Sequence, residues 1–275
     1  ANATVKKLAD NGGTAWSQIT GSYPTTSMTK LCIVMSFTVD DATGTPSYFG
    51  NATSSGNLIC DEGSNPSFGS FRIRVANLVT YNTSGTAPGV GAHLLMFEVD
   101  FTQATITDAC KMYLDGVSIP WAADAMTTYT SGTFSVNTML GTGLNLMRGL
   151  TASGTIANGK LEFFWMKWGT SSDAAVDITN STVRSKFTTV GNAIGDNGEG
   201  PTGSPPNIFI AGSIDQYNSE EGVPNAGSFF GLSAKKMAGE YLGTANVLAS
   251  VITPAPHVVG DPVEIQLTSD DYLPS

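Results

Sequence analysis

The side chains that could carry chemistry in this chain of 275 residues are few. Nucleophilic catalysis by serine or cysteine needs a histidine base, and only two histidines occur, His93 and His257. His93 stands in the apolar stretch Ala92-His93-Leu94-Leu95 and reads as a structural histidine at a strand end. His257 lies in a proline-rich tail and reads as solvated. No GxSxG turn presents a serine. Two isolated histidines do not make a zinc site, so no metal and no cofactor is expected. The three cysteines, Cys32, Cys60 and Cys110, are widely spaced, form no CxxC pair and sit beside apolar residues. Buried free thiols are expected, which fits synthesis in a reducing compartment. One arrangement remains that could hydrolyse a bond. Glu98 and Asp100 alternate along one apolar run and so share a strand face, and glycoside hydrolysis uses a pair of carboxylates.

Two oxygen-rich turns, Asp196-Asn197-Gly198-Glu199-Gly200 and Asp40-Asp41, invite a comparison with calcium loops. Calcium takes about six to eight oxygens, and neither turn supplies them alone; both read as acidic turns. Of the tryptophans Trp16, Trp121, Trp165 and Trp168, the last two belong to a dense apolar run and read as core. Trp121 follows Pro120 in a loop and is the candidate for stacking on a sugar ring. Trp121, Asp196 and Asn197 are therefore the candidate ligand-binding residues.

Composition narrows the class. Charged residues make up 13% of the chain against 41% hydrophobic, with 31 glycines. The strong helix formers are scarce, so many short strands joined by turns are expected. Thirteen Lys and Arg against 23 Asp and Glu give a net charge of −10. That balance argues against nucleic acid and against an anionic membrane as partners. No run approaches the ~20 apolar residues of a spanning helix. Ala1-Asn2-Ala3-Thr4 lacks the apolar centre of a secretory signal, from which synthesis in a cytoplasm is expected.

The scaffold that must position these residues reads as follows. Leu31–Val39 is a continuous apolar run, hence a strand buried on both faces. Asn57–Cys60 follows, and Phe71–Val75 alternates apolar and basic residues, the mark of a half-exposed strand. Ala92–Phe101 is another dense strand. Lys111–Ile119 is a hairpin, because Asp115-Gly116 supplies the positive φ values of a tight turn. Thr133–Val136 and Leu144–Leu150 are weaker strands. Lys160–Trp168 is central, with Leu161, Phe163 and Trp165 on one face and Phe164, Met166 and Trp168 on the other. One helix of little more than two turns starts at Asn180, with Val183 and Phe187 on one side. Gly191–Pro206 is a loop; strands resume at Asn207–Ala211, Ser228–Ser233 and Ala245–Ile252. The fold class expected is all-β, a two-sheet antiparallel jelly-roll sandwich with one short helix. The expected organisation is an irregular segment over residues 1–29 packing on a sandwich over 30–253, and an extended acidic, proline-containing arm over 254–275. In that arm Val263, Ile265 and Leu267 alternate like an edge strand and are the candidate assembly contacts.

Two segments resemble known families. Ala92–Asp100 followed by Lys111-Met112-Tyr113-Leu114-Asp115-Gly116-Val117 resembles the laminin-G or concanavalin-A-like pattern, in which a strand ending at an Asp precedes an "lYlDG" hairpin; Lys30–Val39 matches its early "sFtv" strand. Gly159–Gly231, with Val176-Asp177-Ile178-Thr179-Asn180, Val183-Arg184-Ser185-Lys186-Phe187, Gly195-Asp196-Asn197-Gly198 and Pro201–Ile210, is similar to a pattern in virion proteins of tailed bacteriophages that carry this lectin-like fold. The resemblance implies a concanavalin-A-like jelly roll in a phage particle and carries over no ligand residue. Glu98-Val99-Asp100-Phe101-Thr102-Gln103 also resembles the E-x-D-x-x-E strand of family-16-type glucanases. There the first Glu is the nucleophile and the last the acid/base; here the last position is Gln103, and an amide cannot protonate a leaving oxygen.

The expectation is a non-enzymatic virion structural protein, a capsid decoration or an accessory head or tail component. It would contact other virion proteins and form homo-oligomers. The alternative is a carbohydrate-binding receptor module on a tail or head fibre, with a surface glycan as partner. A family-16-like glucanase is the third reading.

Overall fold

The two runs too apolar for a half-wet strand pair with each other, and the architecture is built around them. The computed structural model describes residues 2–9, 15–21, 23–41, 46–51, 57–62, 71–83, 85, 87–123, 127–141, 143–147, 155–156, 158–188, 190–195, 198–211 and 222–224. The strands begin with β1 (Asn2–Ala9), β2 (Ala15–Gly21), β3 (Ser27–Met28), β4 (Lys30–Asp41), β5 (Pro46–Asn51) and β6 (Leu58–Glu62). They continue with β7 (Phe71–Val75), β8 (Val79–Asn82), β9 (Gly91–Asp100), β10 (Cys110–Leu114), β11 (Val117–Ser118) and β12 (Thr128–Tyr129). The last are β13 (Phe134–Ser135), β14 (Leu144–Leu146), β15 (Thr155–Ile156), β16 (Asn158–Gly169), β17 (Ile208–Ala211) and β18 (Gly222–Pro224).

These strands form a two-sheet, antiparallel jelly-roll sandwich, with β3 and β13 paired to each other outside both sheets. The smaller sheet has the order β11-β10-β9-β4-β16-β17. The larger runs β12-β8-β7-β6-β5-β14-β2-β1-β18, with β15 joining β5 in a parallel bridge. Between the sheets lies the main core. Leu31, Ile33, Met35, Phe37 and Val39 of β4 enter it from one side, and Phe71, Ile73 and Val75 of β7, with Leu144 and Leu146 of β14, enter from the other. The alternation read in Phe71–Val75 is present: its apolar residues are buried and Arg72 and Arg74 are half-buried on the outer face.

The smaller sheet is apolar on its outer face as well. Cys32, Val34, Met96, Phe163 and Trp165 form a second core there, closed by Ile178, Phe187, Ile194 and Phe209. The covering segment runs over residues 170–207 between β16 and β17. The division of β16 differs from the expected one. Leu161 joins Phe164, Met166 and Trp168 between the sheets, while Phe163 and Trp165 face outward. A register shift between Leu161 and Phe163 opposite β4 is the cause, since one extra residue in a strand reverses the alternation beyond it.

The stretch expected to be irregular before residue 30 instead contains β1 and β2, a paired hairpin inside the larger sheet. Its polar composition hid a strand pair whose register rests on neighbours far along the chain, β14 and β18. The expected helix is present but shorter, as α3 (Ser181–Ser185), with the Asn180 side chain accepting from the Thr182 N–H at 2.9 Å. It closes early because the N–H groups of Lys186 and Phe187 bond three residues back, which draws Phe187 into the outer core. Two further single-turn helices occur, α1 (Ile106–Ala109) and α2 (Val136–Leu140). Of the strand expected over 133–136, Phe134–Ser135 forms as β13 and α2 takes over at Val136, since Ser135 caps it by accepting from the Thr138 N–H. The 228–233 and 245–252 strands and the 254–275 arm, with Val263, Ile265 and Leu267, lie outside the described residues.

Two turns fix the outer layer. Asp115 and Gly116 take φ values of 53° and 80°, the positive values expected of the β10–β11 turn. At Gly198 (φ +75°) the carbonyl accepts from Trp165 Nε1 at 2.8 Å, and an added Cβ would come within 2.8 Å of the Phe209 ring. Gly198→Ala therefore combines left-handed strain with overpacking and should cost roughly 2–4 kcal/mol in urea unfolding. Gly89→Ala, where a Cβ meets open space, should be near neutral and serves as the control.

Candidate functional site

The carboxylate pair sits where β9 lies under the covering segment. Cross-strand pairing sets Cys32 of β4 between Glu98 of β9 and Lys167 of β16, and Lys30 opposite Asp100. Glu98 is buried, and both its oxygens are occupied: Oε1 accepts from the Asp177 N–H at 3.2 Å and Oε2 from the Ile178 N–H at 3.1 Å. Burial pushes its carboxyl above the usual carboxylate range, against the two backbone N–H groups that hold it down. Asp100 closes a local turn, accepting from the Thr102 N–H at 2.9 Å and hydroxyl at 2.7 Å, with the Gln103 amide 3.5 Å away. Partial burial raises its pKa, but the Thr102 and Gln103 contacts and the Lys30 charge outweigh it, and the net shift is downward.

Around this pair is a shallow cleft lined by Lys30, Cys32, Glu98, Lys167, Trp168 and Asp173, among others. Its cations are engaged by neutral groups. The Lys30 ammonium donates to the carbonyls of Ser171 and Asp173, and Lys167 donates to the hydroxyls of Thr202 at 3.0 Å and Ser204 at 2.8 Å. Burial lowers the Lys167 pKa, while Asp173 and Cys32 oppose the shift. Arg184 completes the closure: it donates to the Ile178 and Thr179 carbonyls and lies over the Tyr113 ring, 4.2 Å from its centroid. The motif that resembled a glucanase strand thus anchors a surface layer to the sheet.

The remaining sequence candidates are dispersed. His93 Nε2 donates to the Gly89 carbonyl at 2.7 Å, and its Nδ1 lies 2.8 Å from Asp115 Oδ2. Asp115 Oδ1 accepts from the Leu94 N–H, so this trio ties a hairpin turn to β9, as expected of a structural histidine. Cys32, Cys60 and Cys110 are buried free thiols. Trp165 and Trp168 are buried. Trp121 is half-buried, bridges Thr83 and packs against the main core; it stands apart from the cleft. Asp196, Asn197 and His257 lie outside the described residues. Among the described residues, no group of three or more His, Cys, Asp or Glu is gathered for a metal ion, and no helix is long and apolar enough to cross a membrane.

A second polar constellation lies on the outer face of the larger sheet, and it escaped the sequence reading. The registers align Ser47, Asp61, Arg72 and Asn82 in one row across β5, β6, β7 and β8. They align Asn145, Gly50, Ile59, Arg74, Thr80 and Thr128 in the next row, from β14 to β12. Ser47, Asp61, Asn82 and Asn145 are buried, Arg72, Arg74 and Thr80 half-buried, and Thr128 exposed, so the face opens toward β12. Asp61 holds Arg72 through two bonds, Nε to Oδ1 at 2.8 Å and Nη2 to Oδ2 at 2.6 Å. The one signal in the sequence was the basic half of the Phe71–Val75 alternation; the rows themselves depend on pairings across distant segments.

No known protein family matches the chain, and no curated protein does. Solved structures similar to it include a Bacteroides ovatus protein provisionally described as carbohydrate-binding, at 14% identity over 61% of this chain and 44% of that one, with a TM-score of 0.42. This chain thus spans less than half of that protein's length. A heptameric SAP-like pentraxin of Limulus polyphemus is similar at 10% identity over 60% of this chain and 75% of that one, TM-score 0.36. The CBM40 of the Ruminococcus gnavus IT-sialidase is similar at 13% identity over 55% and 88%, TM-score 0.33.

The raised pKa of Glu98 has a definite sign. A carboxyl whose folded pKa lies above its unfolded value adds stability below the unfolded pKa and loses it as pH rises through the folded one. Glu98→Gln removes that titration and leaves the others shared with the wild type. The stability advantage of the wild type over Glu98→Gln should therefore be largest below the ordinary glutamate value of 4.5 and shrink as pH rises above it. Thermal melts of both proteins across that range check it; an advantage that grows with pH contradicts the assignment.

Proposed function

We propose that the chain is a non-catalytic recognition module that binds a carbohydrate on the polar outer face of its larger sheet. The observation that carries this reading is the pair of cross-strand rows Asn145–Thr128 and Ser47–Asn82. Neighbouring strands lie about 4.8 Å apart, so successive side chains in a row can reach different hydroxyls of one sugar. At the less buried end of the face, the Arg74 guanidinium and the hydroxyls of Thr80 and Thr128 offer both donors and acceptors to such hydroxyls. The absence of catalysis is part of the proposal. Glu98, the one acidic residue placed like a glycosidase nucleophile, is held by two backbone N–H groups, and Gln103 stands where the acid would be. An oligosaccharide array should show binding to at least one glycan class. The double variant Thr80→Val/Thr128→Val keeps strand shape and deletes two hydroxyls; it should weaken that binding about tenfold with an unchanged melting temperature. An array without a single bound glycan removes the reading.

A second reading has its own support. The 159–231 pattern that resembles phage virion proteins falls largely on β16, the covering segment and β17, the part that makes this sandwich three-layered. On this reading the protein is a structural component of a phage particle, made in the host cytoplasm and packed against other virion proteins or further copies of itself. Cryo-electron microscopy of the purified particle tests it: density at regular lattice positions supports decoration, density at a tail or fibre tip supports a receptor module, and absence from the particle excludes both.

A further inference from the structure

Resting on the carbohydrate reading, a narrower one concerns what kind of saccharide the face accepts. Arg72 and Arg74 point outward two residues apart on β7. Asp61 stands directly opposite Arg72 and diagonal to Arg74, and both its oxygens bond Arg72. No carboxylate is left for Arg74. Its direct neighbours in the row are Ile59, which is apolar, and Thr80. Among the described residues none hydrogen-bonds or ion-pairs with the Arg74 guanidinium, whose nitrogens stay open to solvent although the residue as a whole is half-buried. Its planar fork fits a carboxylate or sulfate through two parallel bonds.

We propose that Arg74 is an anion-reading residue, and that the saccharide bound on this face carries an acidic group, a uronic carboxylate or a sulfate ester. The acidic group sits on Arg74, with the hydroxyls of Thr80 and Thr128 beside it to take neighbouring ring hydroxyls. The chain carries a net charge of −10, so general electrostatic attraction does not draw a polyanion to it. Binding of an acidic polymer must come from a local site, which makes the measurement selective.

The test titrates the full chain with polygalacturonate, dextran sulfate and neutral dextran at about 0.15 M salt, where long-range attraction is screened. The wild type should bind one of the two acidic polymers and prefer it to dextran, and the polymer that binds identifies carboxylate or sulfate. Arg74→Ala should weaken that binding by about 10- to 100-fold. Arg74→Lys, which keeps the charge and loses the fork, should recover only part of it. Acidic-polymer binding that survives Arg74→Ala overturns the assignment. Glycan binding on the array that is confined to neutral sugars and insensitive to Arg74→Ala also overturns it, and leaves the carbohydrate reading standing. If no glycan binds on the array and neither acidic polymer binds, both fall together.

Discussion

The constraint on which the rest of this structure depends is that β4 and β16 are apolar on both faces. One face of such a pair can be buried against a second sheet, and the main core does this. The other face leaves Cys32, Val34, Phe163 and Trp165 to be covered by something else. At about 25 cal/mol per Å² of apolar surface, leaving that outer face wet would cost several kcal/mol, a large share of a typical domain's net stability. The chain meets the demand with the segment between β16 and β17, which has almost no regular structure of its own. A layer without a hydrogen-bond ladder needs point attachments. The attachments are Glu98 to two backbone N–H groups, Trp165 Nε1 to the Gly198 carbonyl, and the Arg184 guanidinium over the Tyr113 ring of β10.

That solution decides which residues remain for function. A carboxylate on the covered face is a fastener before it can be a nucleophile. Glu98 gives up its solvent access and both oxygens, and its raised pKa records the burial. The lysines of the adjoining cleft are tied to the same layer through carbonyls and hydroxyls. On the larger sheet Asp61 is committed in the same way by its bidentate pair with Arg72, and Asn82 and Asn145 have partners of their own. With only 13% charged residues in the chain, a second arginine next to that pair is conspicuous. Arg74 is half-buried and, among the described residues, its guanidinium has no acceptor.

Much of this was legible in the sequence where a local rule decides the outcome. The apolar run Leu31–Val39, the Asp115-Gly116 turn and the Asn180 cap each express a preference of a few adjacent residues. The hairpin of β1 and β2 was not legible, because its polar strands are fixed by partners more than a hundred residues away. The face assignment of Leu161 failed for a related reason: a single register shift reverses the alternation, and no residue type announces it. For the site, sequence spacing brought forward Glu98 and Asp100 as possible chemistry, and only the fold could show that their bonds are structural. The Asn145–Thr128 and Ser47–Asn82 rows are assembled from four or more strands, so no window of the sequence contains them.

The recognition and assembly readings use opposite sides of the sandwich. The polar rows lie on the outer face of the larger sheet, and the covering segment lies on the outer face of the smaller one, with the main core between them. A partner docked on the covering segment would meet a surface already stabilised from below by its own apolar core, and would leave the polar face free. The reverse also holds, since a saccharide on the polar face would not touch Glu98, Trp165 or Arg184. Changes that loosen the cover should therefore act on stability and assembly without altering ligand choice, and changes at Arg74 or Thr80 should act on ligand choice without loosening the cover. Separable effects are expected because the two sets of residues share no contact and are divided by a close-packed core, the condition under which mutational effects add.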